Sequence, residues 1–153
     1  MFDASAAVSS KTLLDGTVIV DSARGSARLS RLEPGASLYV CTGTLSADFY
    51  EPMVKIAQHE VDLNGRLLMV VDGWELASVD TGFREQWTLW FKEHKERFRM
   101  RLLVRTKLME MAASLANLFT GTSVITTYSN VRVWERAVAA DVTGFRRPPA
   151  PAA

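Results

Sequence analysis

The chain has 153 residues, 48% of them hydrophobic and 23% charged, with a formal net charge of +1 at pH 7. That length suits one domain of ordinary size, and the apolar content excludes a disordered chain. A near-neutral balance removes any global electrostatic case for nucleic acid, and the single cysteine, Cys41, cannot close an internal disulfide.

Residues 1–25 alternate small, polar and apolar types without a clear period and read as a loosely ordered start. Only 17–20 there has strand character. Asp3 and the lack of an unbroken apolar run argue against a secretory leader. The most apolar stretch, 67–71, is far shorter than the roughly 20 residues needed to span a bilayer. The expected location is cytoplasmic, with no membrane insertion. The ordered domain is expected over 26–142, and the proline-rich 143–153 reads as a disordered, solvated tail.

Within 26–142, strand signals at 27–32 and 37–45 flank Glu33, Pro34, Gly35 and Ala36, a hairpin pattern. Helical spacing follows over 46–61, with Ser46 as the candidate cap and Pro52 in the first turns. Asn64 and Gly65 break the chain before 66–72, a near-continuous apolar run that suits a strand buried on both faces. The spacing predicts a long helix over 83–98, a strand over 100–106 and a helix over 107–119 that ends at Gly121. A β-branched strand over 123–129 and a helix over 130–141 complete the order. Alternation of this kind predicts an α/β domain: a mixed, mostly parallel central sheet, an N-terminal β-hairpin and about four helices.

Signals for catalysis are sparse. His59 and His94 lie on separate predicted helices, so a zinc site of the usual spacing is not expected, and no cofactor is predicted. Nucleophile-elbow, P-loop and dinucleotide fingerprints are absent. Cys41 falls mid-strand, as a small buried hydrophobe would. The stripe Trp87, Trp90 and Phe91 has the spacing of a helix face packed on a sheet. Arg97, Arg99, Arg101, Arg105 and Lys107 form a basic run, read either as strand-end solvation or as an anion-binding patch. An enzyme built on Asp72, Asp80 and His94 is the weakest reading, because nothing in the sequence brings these groups together.

The segment 70–83 carries most weight. An apolar strand is expected to end at Asp72, a loop to follow, and Asp80 or Thr81 to cap the long helix. A phosphate on Thr81 or Ser78 would add about −1.5 to −2 charges at that helix N-terminus.

This order of elements resembles the STAS domains of anti-sigma factor antagonists and the SpoIIAA-like group. Gly43-Thr44-Leu45 is similar to the family's Gly-x-Leu before its first helix. Asp72 and Asp80 have the spacing of the family's two aspartates, and Leu118-Phe119-Thr120-Gly121 resembles its Leu-x-x-Thr/Ser-Gly. Tyr128-Ser129 precedes a final helix, as in the family. One departure stands out: the family's phosphorylated serine falls at Gly82, and the nearest hydroxyl is Thr81, one position early.

The resemblance implies a STAS-like, non-enzymatic regulatory module. It would bind a protein partner, a kinase or an anti-sigma factor-like regulator, through loop 72–82 and the following helix. The partner-binding candidates are Asp72, Trp74, Asp80, Thr81, Gly82 and Arg84, with Thr81 and Ser78 as phosphorylation candidates. The alternative is a small-ligand or lipid-binding module, with a pocket between the sheet and the Trp-rich helix. Neither reading sets the oligomeric state.

Overall fold

A computed structural model of the chain describes residues 7–149. Its strands are β1 (Ser9–Thr12), β2 (Val18–Asp21), β3 (Gly25–Glu33), β4 (Ala36–Leu45), β5 (Leu67–Val79), β6 (Phe98–Val104) and β7 (Ile125–Tyr128). Its helices are α1 (Tyr50–Asn64), α2 (Thr81–Glu93), α3 (Lys107–Thr120) and α4 (Val131–Asp141). All seven strands form one sheet in chain order. β1 to β4 pair antiparallel, and β4 to β7 pair parallel.

This order explains the layers. Successive parallel strands move in one direction across the sheet, and right-handed crossovers then place every connecting helix on the same face. α1, α2 and α3 accordingly bury Met53, Ala57, Trp87, Phe91 and Ala113 against Tyr39, Met69, Val71 and Leu102. α4 follows the last strand and is free of that constraint. It covers the opposite face, where Trp134 and Val138 pack with Leu38, Val70 and Leu103. β5 shows the two-sided burial its apolar run predicts: Met69 and Val71 face one core, Val70 the other.

Local signals set several boundaries. Gly65 and Gly121 end α1 and α3 in the left-handed conformation. Thr106 and Asn130 cap α3 and α4, accepting from the backbone N–H of Met109 and Val133. Ser46 precedes a 3-10 turn over Ala47–Phe49, but its hydroxyl makes no cap bond. Gly43 has a φ of +71°, and a Cβ there would lie 2.3 Å from the Arg24 carbonyl oxygen. Only glycine fits that crossing of β4 with the start of β3.

Four expectations change. The antiparallel edge is a meander rather than a single hairpin, since β1 and β2 lie within the 1–25 segment read as loosely ordered and extend the sheet beyond β3. The helix expected over 83–98 ends at Glu93, and Phe98 opens β6. The loop expected over 72–82 is mostly strand, because β5 continues to Val79. β4 supplies the ladder for it, pairing Thr42 with Glu75, Gly43 with Leu76 and Leu45 with Val79. The tail expected over 143–153 is not wholly solvated: Phe145 is buried in the α4 core and Arg147 makes an ion pair. Residues 1–6 and 150–153 lie outside the described residues, so those parts of the two terminal readings are not addressed.

Candidate functional site

The predicted site residues fall into two groups on opposite faces of the sheet. Asp72 and Trp74 belong to the α4 face. Asp72 is buried, and Arg147 donates to it through Nε to Oδ2 at 2.6 Å and through Nη2 to Oδ1 at 3.3 Å. Hydrogen bonding to Asp72 in turn raises the Arg147 pKa and holds the guanidinium charged. The Trp74 backbone N–H donates to Asp72 Oδ1, and the Arg105 guanidinium lies over the Trp74 ring. Asp72 therefore holds the C-terminal segment and is not exposed to a partner, contrary to the sequence expectation.

Asp80, Thr81, Gly82 and Arg84 do come together, at the start of α2. Asp80 occupies the N-cap with extended backbone, without a side-chain cap bond. Thr81 is exposed. Gly82 faces the 3-10 turn, where a Cβ would lie 3.0 Å from the Ala47 Cβ. Ser78 is half-buried and its hydroxyl is bonded to Thr44 Oγ1 at 3.0 Å, so Thr81 is the more accessible of the two phosphorylation candidates.

The Trp-rich helix packs inward as its spacing predicts. Trp87 and Trp90 are both buried. Trp90 Nε1 donates to Gln58 on α1, which satisfies the indole in the core. His94 stacks on Trp90, with Nδ1 2.8 Å from the Trp90 carbonyl oxygen. It sits at the C-terminal end of α2, and Asp80 sits at the N-terminal end of that 13-residue helix. About 20 Å separates them at 1.5 Å per residue. The enzyme reading from Asp72, Asp80 and His94 has no shared site.

A cavity of about 110 Å³ lies between the sheet and the α2–α3 pair, walled by apolar side chains that include Met69, Trp87 and Ala113. Tyr39 and Cys41 line it, and the Tyr39 hydroxyl has no hydrogen-bond partner. Burial pushes the Cys41 thiol up to about 12. At pH 8 only about one thiol in ten thousand would be thiolate. Cys41 should therefore resist iodoacetamide in the native protein and react at the ordinary thiol rate in urea. Fast labelling without denaturant would contradict this burial.

The basic run is dispersed. Arg101 pairs with Asp141 and donates to the Tyr128 hydroxyl, Arg105 lies 3.9 Å from Glu75, and Lys107 pairs with Glu110. Arg99 donates to the carbonyl oxygens of Lys95 and Phe98. Most of these cations have protein partners, which favours the strand-end reading over an anion patch.

Sequence reasoning passed over α3. Its buried face is made of small or slender residues, Met109, Ala113, Ala116 and Thr120. Its large apolar side chains point outward: Leu108, Met111, Leu115, Leu118 and Phe119 are exposed by 63%, 61%, 56%, 79% and 61%. Positions 108, 111, 115 and 118 repeat at alternating steps of three and four, the spacing of a coiled-coil seam. That signal stands in the sequence, but a helix with two apolar faces cannot be oriented from sequence alone.

No family model matches the chain, and no curated protein does. Among solved structures, the chain is similar to an uncharacterized protein of the DUF3478 family from Shewanella loihica PV-4, described as having a SpoIIAA-like fold. Identity is 20% and the TM-score 0.48, over 83% of this chain and 88% of that one. Among the described residues, no helix is long and apolar enough to cross a membrane, and no group of three or more metal-ligating side chains is found.

Proposed function

We propose that the chain is a non-enzymatic regulatory module that docks a helix of a protein partner on the outer face of α3. The observation that carries this reading is the exposed seam Leu108, Met111, Leu115 and Leu118. Monomeric proteins rarely leave a contiguous row of large apolar side chains in water, and such rows mark contact sites. A strict three-four repeat accepts another helix carrying the same repeat. Asp80, Thr81, Gly82 and Arg84 supply a polar border at the start of neighbouring α2, where phosphorylation of Thr81 would add negative charge beside the docked helix.

The test is the double variant Leu115→Glu/Leu118→Glu. Both positions are exposed, so stability should stay within about 0.5 kcal/mol of the parent. Affinity purification from native cells, quantified against this variant, should show a protein at near-stoichiometric yield that the variant fails to retain. A purified chain that is dimeric, and monomeric when substituted, would assign the docked helix to a second copy. Identical retained proteins and identical mass in solution for both forms would refute the docking role.

A further inference from the structure

The outer face of α3 has three features that select the helix it docks. One is extent. Phe119 widens the seam of Leu108, Met111, Leu115 and Leu118, and all five side chains are more than half exposed. Together they present on the order of 700 Å² to water, above the largest apolar patch of a typical monomer and close to the roughly 800 Å² each partner buries in a standard interface. Preorganisation is the second. Met109, Ala113 and Ala116 hold α3 on the sheet, so docking pays no cost of forming the helix, and 14 residues suffice where an isolated helix of that length would be marginal.

Charge is the third. Flanking charges normally set partner choice in paired helices, and rejection of a second copy needs a repulsive element. The flanking positions within α3 are Lys107, Ala112, Ser114 and Phe119, and Lys107 and Glu110 are the sole charged residues of the helix, both in its first turn. Nothing along the middle of the seam repels another α3.

Given the docking reading, on which this step rests, we infer that the docked helix is α3 of a second copy, laid antiparallel across a two-fold axis. Such a pair is isologous, with the same patch used by both subunits. Centred between Met111 and Leu115, it sets Leu108 against Leu118 of the partner subunit and Met111 against Leu115 of the partner subunit. Symmetry repeats both pairs, giving four apolar layers. Antiparallel alignment also brings Lys107, with its side chain 90% exposed, level with the C-terminal end of the partner's α3. That end needs a cation, because α3 has no basic residue in its own last turn. A parallel pair would instead bring two Lys107 ammonium groups together and align the two helix dipoles.

Sedimentation equilibrium of the purified chain tests this. The parent should show a monomer–dimer equilibrium with a midpoint between about 1 and 100 μM, as suits an interface at the small end of the stable range. Leu108→Lys and Leu118→Glu, each alone, should weaken dimerisation at least about tenfold, since each puts two charges against apolar side chains. Both positions are exposed, so the helix should stay folded, which circular dichroism checks.

Mixing the two variants in equal amounts should restore dimers, all of them mixed. In the antiparallel pair the introduced cation of one chain meets the introduced carboxylate of the other, while the opposite end keeps its leucines. A parent monomeric at 500 μM would overturn the pairing, as would dimers that survive in both single variants. No recovery on mixing would overturn the antiparallel register. A monomeric parent that loses a different protein on Leu115→Glu/Leu118→Glu would assign the seam to that protein and leave the docking reading standing. A monomeric parent that loses nothing would remove both.

Discussion

Replacing Trp134 with alanine is expected to destabilise the protein by about 3–5 kcal/mol, the usual cost of deleting a buried indole. Trp134 is 0% exposed and centres the α4 core with Leu38, Val70, Leu103 and Val138. Its Nε1 donates to the Arg101 carbonyl oxygen at 3.1 Å, and its ring meets Phe145 edge-on at 5.5 Å. A single helix covers this face, so no neighbouring helix can close on the space left behind. In urea, the midpoint should fall with the slope unchanged, and the melting temperature should drop by about 10 °C or more. Trp134→Phe separates two causes: it keeps most of the apolar volume and removes the donor to Arg101, so its cost should be about 1–2 kcal/mol. A loss below about 1 kcal/mol for the alanine variant would mean that α4 contributes little to stability.

The elements legible in the sequence were those with a local cause. The β3–β4 turn and the glycine stops at 65 and 121 depend on residues a few positions apart, and all occur where expected. Features that depend on distant partners were not legible. Residues 74–79 have an alternating pattern that also suits an exposed loop; pairing with β4 makes them strand. The same holds for β1, which needs β2 as a template, whereas β2 falls on the 17–20 stretch whose strand character the sequence shows.

The candidate site divided for a related reason. Asp72 and Asp80 are close in sequence, yet two register shifts in the β4–β5 pairing lie between them, and Asp80 leaves the strand to cap α2. Val40 pairs with Asp72 but Thr42 with Glu75, so the chain gains a residue and Leu76 turns to the opposite face from Trp74. Spacing alone could not reveal that the two aspartates serve different sides of the sheet. The α3 seam was hidden differently. Two apolar faces compete for the sheet, and the smaller residues Ala113 and Ala116 face inward while the leucines stay outside.

The second large effect concerns the C-terminal segment. Arg147→Ala would leave Asp72, with its side chain 6% exposed, as a buried carboxylate without its counter-charge. Breaking a fully buried pair costs about 3–5 kcal/mol, but the Arg147 side chain is 29% exposed, so about 2–3 kcal/mol is expected. Asp72→Asn in the same chain should recover part of that loss. The amide oxygen can still accept from the Trp74 backbone N–H, and no charge then lies buried. Recovery requires that the single-variant losses exceed the double-variant loss, a coupling that a double-mutant cycle reads directly. The Arg147 backbone N–H also donates to Glu135 on α4 at 2.6 Å, so the segment is held at two points. Hydrogen exchange should show the outcome locally: protection of the Arg147 and Trp74 amides should fall in Arg147→Ala before that of β6. Additive losses in the cycle, with unchanged exchange at Trp74, would mean that the C-terminal segment rests on the sheet without helping to hold it.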